Sequence, residues 1–373
     1  MTVLPRHRQD LAAHLSVHGG LPDTLNRDAL IHQIDAAGIR GRGGAGFPSA
    51  AKLRSVAPGR SIVVANGCES DPFSSKDRLL LELAPHLVLD GIQLAAYAVG
   101  ATEAFLCLHE VNSRLQAALA ERRDAIPVKL VAVPPRHVAS EETALVHFLS
   151  AGDARPTGKF PRPIERGLRG RPTLVQNVET LARFAIVARI GADRYRSVHT
   201  DLVTVTGAVT RPGVLEVPAD TPVATILARV GGSVTAQAVL IGGYGGTWMP
   251  RSLADPLPLG REPGLSSLYL LPEPNCGLGL TANILSGLAA ESARQCGPCM
   301  FGLPAVAADF AELLTGRDST GRLARRLPLL SGRGACAHPD GAVRLAASAL
   351  RVFAADVRAH LAAGSCRVTA GAA

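Results

Sequence analysis

The sequence has few aromatic residues, no apolar run long enough to span a membrane, and no block of like charges. Phe, Trp and Tyr make up 4% of its 373 residues, so the stacking platforms on which nucleic-acid bases bind are scarce. The best candidate for a span, residues 91–108, is interrupted by Gln93, Thr102 and Glu103, which are costly at the bilayer centre. Residues 1–14 show no apolar run behind their basic residues, so we expect no secretory signal and a cytoplasmic protein.

Cysteine is also sparse, with seven residues. An odd number without a secretory signal argues against a disulfide framework and for metal ligands or reduced thiols. The formal net charge is +8, carried by scattered arginines, and it suits an acidic redox partner or a phosphate-bearing cofactor better than nucleic acid. The length is sufficient for two or three domains with their own cores.

Three cysteines form the strongest motif. Cys296 and Cys299 are separated by two residues, and Cys336 follows after a predicted helix. Thiols with this spacing can converge on zinc or on an iron–sulfur cluster. A thiol–disulfide redox pair is disfavoured, because no thioredoxin-like βαβ pattern surrounds them. The alternative is three unrelated buried cysteines.

A glycine-rich loop, residues 41–48, follows a predicted helix over residues 28–37. It matches the dinucleotide pattern G-x-G-x-x-G, but that pattern requires a strand before it, so the Rossmann interpretation fails. Its glycines let backbone N–H groups approach an anion, and Arg42 and Lys52 add positive charge. We interpret the loop as a phosphate or flavin cradle, the alternative being a flexible surface turn.

Strands and helices alternate in the first half of the chain, which indicates an α/β domain. The run Ser61–Asn66 is typical of a buried parallel strand, whose end is where open α/β sheets bind ligands. We expect Ser140 to cap a helix that begins with Glu141 and Glu142, which then either complement its dipole or serve a site. Residues 170–180 are predicted to lead from a loop directly into another helix.

The second half changes character twice. From Asp201 the pattern predicts short strands around one helix, as in a small β-grasp module. From Thr281 onward the chain is predicted to be helical. Residues 341–361 are expected to form a single amphipathic helix that packs in a bundle.

The order of these motifs resembles the NADH-binding flavoprotein subunit of respiratory complex I and its relatives in formate dehydrogenases and bidirectional hydrogenases. The resemblance covers most of the chain. It is carried by these segments: Gly38–Pro48, Lys76–Leu80, Glu141–Leu145, Gly170–Thr180, Gln295–Cys299 and Cys336–His338.

The resemblance implies three domains: an α/β FMN- and NADH-binding domain (1–198), a β-grasp, soluble-ligand-binding (SLBB-like) domain (199–272), and a C-terminal helical bundle with an iron–sulfur site (273–373). It implies FMN, a [4Fe-4S] cluster and NADH as substrate. The implied FMN residues are Gly41, Arg42, Gly43, Gly44, Lys52, Asn66, Glu69, Ser70, Glu141, Glu142, Gln176, Asn177 and Thr180. Phe47, Glu69, Asp71 and Lys159 are implied near NADH, and Glu69 and Glu141 are the predicted catalytic residues.

The chain departs from the family pattern at the cluster motif. The family's first cysteine is Ala293 here, and alanine cannot ligate iron. We therefore predict Cys276 as the substitute ligand beside Cys296, Cys299 and Cys336; a non-cysteine ligand, a three-iron form or an absent cluster are the alternatives.

Further departures concern the nucleotide. Leu53 and Ser55 stand where the family has Trp and Phe, which removes an aromatic that could stack on adenine. Cys68 replaces an Asp, and Phe73 replaces a Gly.

The resulting hypothesis is an NADH dehydrogenase-type oxidoreductase. It would pass electrons from NADH through FMN and the cluster to a ferredoxin, a thioredoxin-like [2Fe-2S] protein or a quinone-linked partner, alone or within a redox complex on the cytoplasmic face of a membrane. The alternatives are an NAD-independent flavin and iron–sulfur subunit of a membrane redox complex, and a non-catalytic scaffold.

Overall fold

The computed structural model describes residues 2–22, 26–57, 59–261 and 266–366. Residues 1 and 367–373, at the ends of the first and last predicted domains, lie outside these ranges. The first part of the chain forms a parallel sheet of four strands in the order β3-β2-β1-β4. The strands are β1 (Ser61–Asn66), β2 (Ala101–Leu108), β3 (Val128–Ala132) and β4 (Thr173–Asn177).

Helices pack around this sheet. They are α1 (Leu11–His18), α2 (Arg27–Ala36), α3 (Ser49–Ser55), α4 (Lys76–Leu83), α5 (Pro85–Val99), α6 (Ser113–Ala120), α7 (Glu142–Ala151), α8 (Pro163–Arg166), α9 (Val178–Ile190) and α10 (Ala192–Val198). Helices α5 and α9 are buried over most of their length. They approach closely at Gly91, where a Cβ atom would lie 2.0 Å from the carbonyl oxygen of Leu181. Only glycine permits this contact.

A second, mixed sheet follows, with five strands in the order β6-β5-β9-β7-β8. The strands are β5 (Thr200–Gly207), β6 (Gly213–Pro218), β7 (Ala238–Ile241), β8 (Thr247–Pro250) and β9 (Ser267–Leu270), with helices α11 (Val223–Arg229) and α12 (Arg251–Ala254). Val203, Ile226 and Leu268 belong to one buried cluster, so α11 packs against the sheet. This is the predicted β-grasp arrangement.

The last part is a helical bundle. Its helices are α13 (Gly277–Ala290), α14 (Leu303–Leu314), α15 (Thr320–Leu330), α16 (His338–Val352) and α17 (Ala354–Ala363), with a π-helical turn at Pro298–Gly302. Trp248 on β8 is buried against this bundle, and its Nε1 donates to Oγ1 of Thr281 on α13 at 2.9 Å. The second sheet and the bundle therefore share a core.

Three local predictions are wrong. Residues 173–177 form strand β4, because they pair in parallel with β1, whereas periodicity alone suggested a direct entry into α9. Glu141, not Ser140, caps α7, since Ser140 ends a preceding 3₁₀ turn. The predicted helix over 341–361 is two helices, which meet at Phe353.

Among the described residues, no single helix is long and apolar enough to cross a membrane. One bent pair, α4 with α5, passes such a test by length and composition only, with an angle of 98° between the two helices. Most of α5 is buried within the protein.

Candidate flavin and iron–sulfur site

The strand order of the first sheet reverses between β1 and β4. The chain proceeds from β1 to β2 and β3 on one side, whereas β4 lies on the other. Open α/β sheets bind ligands at such a point, outside the carboxyl ends of the strands. Asn66 ends β1 and lies in register with Asn177, which ends β4. The topology thus brings together two predicted flavin-binding residues.

A cavity of about 1230 Å³ opens at this edge of the sheet. It exceeds the range of about 300–1,000 Å³ typical of small-molecule pockets, so it has room for a nucleotide cofactor and part of a second molecule. Most of the predicted cofactor residues line it: Gly41, Arg42, Gly43, Gly44, Phe47, Lys52, Asn66, Glu69, Ser70, Asp71, Glu141, Glu142, Gln176 and Asn177.

Two predicted residues lie elsewhere. Thr180 is fully buried on α9, and its Oγ1 accepts a hydrogen bond of 2.9 Å from the backbone N–H of Arg42. Thr180 therefore stabilises the glycine-rich loop through this hydrogen bond and does not line the cavity. Lys159 lies in an exposed loop and does not line the cavity, so the structure does not bring it to the other predicted NADH residues.

The glycine-rich loop is a tight turn at the cavity. The N–H of Gly41 donates to the carbonyl oxygen of Phe47 at 2.8 Å, and Nε of Arg40 donates to that of Gly46 at 2.8 Å. Gly44 and Gly46 have φ angles of +100° and +60°, which favour glycine. The chain can form this turn because glycine adopts these φ angles without strain. The turn exposes backbone atoms to the cavity.

Lys52 is the cation next to this loop. It lies on α3, and its Nζ is 2.9 Å from Oε1 of Glu142 and donates to the carbonyl oxygen of Val175 at 2.8 Å. The ammonium is held at the cavity wall by these two partners. It can therefore meet an anionic group without a large loss of side-chain entropy.

Arg42 plays a different part from the one predicted. Its guanidinium pairs with Asp201 on β5 and lies 3.4 Å from Oε1 of Glu179. Glu179 also binds Nζ of Lys76 at 2.9 Å and Nη2 of Arg183 at 2.6 Å. This buried network, which we call the Glu179 network, fixes the loop against α4, α9 and β5. Arg42 lines the cavity, but its charge is already compensated by Asp201 and Glu179.

The two predicted catalytic carboxylates both cap helices. Glu69 accepts from the N–H groups of Asp77 at 3.2 Å and Arg78 at 3.1 Å, at the start of α4. Oε2 of Glu141 accepts from the N–H groups of Thr143 and Ala144 at the start of α7. Burial raises the pKa of Glu141. Each carboxylate therefore positions a helix whose first turn faces the cavity.

Asp71 connects the first sheet to the second. Its Oδ2 accepts from the N–H of Tyr244 at 2.9 Å, and the backbone at Gly243 approaches so closely that a Cβ would lie 1.8 Å from the same oxygen. Burial raises the pKa of Asp71. Phe73, two residues on, stacks on Tyr269 with ring centroids 4.5 Å apart. The replacement of the family's glycine by Phe73 thus adds a contact between domains.

The remaining predicted polar residues are held by their neighbours. Ser70 Oγ lies 2.9 Å from Nε2 of His109, and Nε2 of Gln176 donates to Oγ of Ser49 at 3.1 Å. Nδ2 of Asn177 donates to Oδ2 of Asp77 at 2.7 Å. Such bonds fix the side chains before a ligand arrives.

Three of the four predicted cluster ligands come together. The thiols of Cys296 and Cys299 are neighbours, and both interact electrostatically with Cys336. Cys336 also lines the cavity, where it interacts with Glu141. Burial raises the pKa of Cys299 to about 12 and also raises that of Cys336. These thiols therefore need a bound cation before they ionise.

The loop that carries Cys296 is anchored to the first domain. Oε2 of Glu291 accepts from the N–H of His137 at 2.8 Å, and Nε2 of Gln295 donates to the carbonyl oxygen of Pro156. Arg294 has a φ of +50°, a strained conformation for a residue with a side chain. Tertiary contacts thus hold the cysteines beside the cavity.

The structure contradicts the assignment of Cys276 as a cluster ligand. Cys276 caps the N-terminus of α13, whereas Cys296 follows its C-terminus. A helix of 14 residues is about 21 Å long, too far for one cluster. Cys276 instead lies beside His360 and Cys366.

The departures around the nucleotide have different consequences. Leu53 is fully buried in the core, so an aromatic at this position would pack inside the protein. Oγ of Ser55 donates to the carbonyl oxygen of Ala51 within α3. Phe47 remains at the cavity with 49% of its surface exposed, and it is an aromatic ring available for stacking. Cys68 also lines the cavity, and burial raises its pKa to about 12.

Sequence reasoning missed several lining residues. Lys76 and Asp77 are buried at the cavity; the signal was a charged pair at the start of an otherwise apolar helix. His137 and His338 have ring centroids 5.3 Å apart and also line it. Burial lowers the pKa of His338 to about 4. No sequence signal indicated His137.

These features fit both predicted groups. The cavity at the strand ends combines a glycine turn, a fixed ammonium and convergent amides, which suits a flavin mononucleotide. Cys296, Cys299 and Cys336 are soft ligands of the kind that hold iron–sulfur clusters. Cys336 lines the cavity and is also one of these three soft ligands, so it belongs to both candidate sites.

Three known protein families match successive parts of the chain. Residues 34–185 match the family described as Nuo51 FMN-binding domain, residues 202–250 match the SLBB domain, and residues 279–360 match the NADH-ubiquinone oxidoreductase-F iron-sulfur binding region. The last range contains Cys296, Cys299 and Cys336 but not Cys276.

Curated relatives agree with these matches. The chain is 29% identical over 380 residues to a subunit of the NADH-quinone oxidoreductase of Escherichia coli, with 90% of this chain and 85% of the relative covered. It is 29% identical over 386 residues to the protein of the same name in Mycobacterium tuberculosis, with 92% and 87% covered. With that of Aquifex aeolicus the identity is 28% over 312 residues, covering 74% and 72%.

Among solved structures, the fold is similar to the NAD⁺-reducing [NiFe]-hydrogenase in its air-oxidized state. The TM-score is 0.84 at 28% identity, with 96% of this chain and 67% of that chain covered. The H₂-reduced state of that enzyme gives a TM-score of 0.82 at 27% identity, with 97% and 67% covered.

Proposed function

Since this chain belongs to the family of the NADH-binding flavoprotein subunits of respiratory complex I, we propose that it oxidises NADH at a bound FMN and passes the electrons to an iron–sulfur cluster. One observation carries this proposal. The cavity that holds the predicted flavin residues is lined on one side by Cys336, which lies with Cys296 and Cys299. Flavin chemistry and thiolate ligands thus meet in one place.

FMN, when bound, converts a two-electron hydride donor into a source of single electrons. The protein positions the reactants. The glycine turn and Lys52 would hold the phosphate, and Asn66, Gln176 and Asn177 would orient the flavin at the strand ends. Ser70, Glu69, Glu141 and Glu142 would shape the remaining wall. Phe47 and Asp71 lie on the same cavity and would contact NADH.

Each of the three predicted domains would have its own role in this function. Residues 1–198 would bind FMN and NADH, and residues 273–373 would carry the cluster. Residues 199–272 would join the other two domains through the contacts of Tyr244 with Asp71 and of Trp248 with Thr281. Cys296, Cys299 and Cys336 would be its ligands, with a non-cysteine ligand or a three-iron form accounting for Ala293.

The curated relatives are named as subunits of an NADH-quinone oxidoreductase, and this chain would likewise work beside other subunits. We propose a ferredoxin or thioredoxin-like [2Fe-2S] protein as the acceptor. The net charge of +8 supports an acidic carrier, because opposite charges steer the encounter. A position on the cytoplasmic side of a membrane would follow from such partners.

The test is an anaerobic titration. The protein is reconstituted with FMN, iron and sulfide and titrated with NADH, while flavin absorbance and electron paramagnetic resonance are recorded. We expect bleaching of the flavin followed by a reduced-cluster signal. If only dithionite bleaches the bound flavin, NADH oxidation is refuted and the NAD-independent function takes its place.

Two matched variants locate the electron path. In Cys336→Ser the flavin should still bleach with NADH, while the cluster signal disappears, because one thiolate ligand is lost. Cys107→Ser serves as the control, since Cys107 is a fully buried thiol on β2 that does not line the cavity. Retention of the full cluster signal in Cys336→Ser would contradict the ligand assignment.

A further inference from the structure

A second group of potential ligands lies at the far end of the helical bundle. The thiols of Cys276 and Cys366 and the imidazole of His360 offer ligand atoms that all lie within 4.8 Å of one another. Of the residues that the structure describes, this is the one such group of three His, Cys, Asp or Glu side chains. We propose that these three residues bind a zinc ion, separate from the iron–sulfur site.

The backbone places each ligand independently of any metal. Cys276 is the N-cap of α13, and its Sγ accepts from the N–H of Gly279 at 3.4 Å. His360 lies in the last turn of α17 and is 6% exposed. After α17 the chain turns at Gly364, with a φ of +69°, and the N–H of Cys366 donates to the carbonyl oxygen of Leu314 at 2.9 Å.

The geometry suits a tetrahedral ion. Sγ of Cys276 lies 3.8 Å from Nε2 of His360. With Zn–S of about 2.3 Å and Zn–N of about 2.0 Å, a tetrahedral angle gives a sulfur to nitrogen separation of about 3.5 Å. A shift of a few tenths of an ångström would therefore complete the site.

The ligand chemistry selects zinc. Two thiolates and a neutral imidazole are soft to intermediate ligands, which suit Zn²⁺ and not Mg²⁺ or Ca²⁺. Two thiolates also neutralise the charge of the ion, so that burying it costs little. Three protein ligands leave a fourth position for water.

The position suggests a structural role. Cys276 stands at the beginning of the bundle and Cys366 follows its last helix, so the metal would close a loop of about ninety residues. Closing so long a loop restricts the unfolded chain and stabilises the folded one. The distance along α13 keeps this ion apart from Cys296, Cys299 and Cys336.

The test uses the full chain, loaded with its iron–sulfur cluster under reducing conditions so that its other thiols are occupied. It is equilibrated with zinc, freed of excess metal and analysed by mass spectrometry for zinc and iron. We expect one zinc per chain in the wild type. Cys366→Ser and His360→Asn should lose it while their iron content and NADH-dependent flavin reduction stay unchanged.

Thermal unfolding gives a second readout. A chelator should lower the Tm of the zinc-loaded wild type and leave that of the two ligand variants unchanged; Cys107→Ser, the control, should respond like the wild type. Equal zinc content in wild type and ligand variants would overturn the proposal. So would a metal-free protein in which peptide mapping finds a Cys276–Cys366 disulfide under the same conditions.

Discussion

Phe47 is the aromatic residue best placed to hold the nucleotide. It lines the cavity and is 49% exposed, and a ring in this position can stack on a planar base. Such contacts contribute about 0.5–1.5 kcal/mol, so we expect Phe47→Ala to raise the KM for NADH about 2- to 12-fold. The value of kcat should change little, because the proposed stacking acts on the base of the nucleotide and not on the reacting atoms. Steady-state kinetics of the FMN-loaded protein measure both.

Phe160 provides the matched control for this prediction. It is 74% exposed and does not line the cavity, so Phe160→Ala should leave both constants unchanged. An equal rise of KM in the two variants, or none in Phe47→Ala, would show that Phe47 does not contact the nucleotide.

Single residues differ in how far the sequence predicted them. Gly44 and Gly46 could be predicted, because positive φ angles in a tight turn depend on local chemistry. Cys276 could not, since its separation from Cys296 depends on residues 277–290 forming one uninterrupted helix. The partners of Arg42 come from α9 and β5, far away in sequence, and no local pattern indicates them.

Among the elements, the loop between α13 and the π-helical turn carries the main departure from the family. Ala293 precedes Cys296 by the same interval by which Cys296 precedes Cys299. A cysteine here would supply the missing thiolate, so we expect Ala293→Cys to raise the iron content after reconstitution toward about four per chain. Iron and sulfide analysis together with electron paramagnetic resonance would follow the change.

The neighbouring residue offers a control on the same loop. Oγ of Ser292 donates to the carbonyl oxygen of Ala289 at 2.9 Å, and the side chain is buried against α13. Ser292→Cys should therefore add a thiol without adding iron. If both variants, or neither, gained iron, the loop would not present position 293 to the cluster.

The Glu179 network joins α4, α9, β5 and the glycine-rich loop. Glu179 is 1% exposed and pairs with three cations. Removing its charge takes the nearest carboxylate from Arg183 and one of two from Lys76, whose remaining partners are Asp201 and Asp77, respectively. We therefore expect Glu179→Gln to lower the free energy of unfolding by about 3 kcal/mol, the lower end of the cost of breaking a buried ion pair. Thermal unfolding measures this loss. Asp193→Asn, which removes an exposed carboxylate on α10, should leave the Tm unchanged.

The same network predicts a pH dependence. Burial alone would raise the pKa of Glu179, but Lys76, Arg183 and Arg42 hold it well below its usual range. A carboxyl with a lowered pKa stabilises the fold fully above its unfolded pKa of about 4.3, and this contribution is lost as the pH falls below that value. The Tm of the wild type should therefore fall more steeply than that of Glu179→Gln on acidification below about pH 5. Parallel curves would contradict this.

Elements with strong periodicity were predictable, and those defined by tertiary contacts were not. The buried run of β1 and the helix α2 follow from apolar patterns. Strand β4 has only five residues and leads without a break into α9, so its pairing with β1 is what makes it a strand. The break at Phe353 between α16 and α17 interrupts an amphipathic pattern that continues through both helices.

At the scale of the molecule, the motif order indicated three units in sequence, and the family matches agree with their nature. Their relative placement depends on contacts between distant residues. Asp71 with Tyr244, Trp248 with Thr281, and Glu291 with His137 each join two units. These contacts place Cys336 on the flavin cavity, which spacing alone does not show.

The net charge of the whole molecule bears on the proposed carrier. With a formal charge of +8, association with an acidic ferredoxin should be accelerated by long-range attraction, which salt screens. Between about 0.01 M and 0.15 M ionic strength the Debye length shortens from about 30 Å to about 8 Å. We expect the second-order rate of ferredoxin reduction by the NADH-reduced protein to fall about tenfold or more over this range. Stopped-flow absorbance measures it. A neutral quinone provides the control acceptor, because long-range electrostatic attraction does not accelerate its association. If the rates for both acceptors fell equally with ionic strength, the salt would be acting on a step within the protein. The net charge would then no longer support an acidic partner.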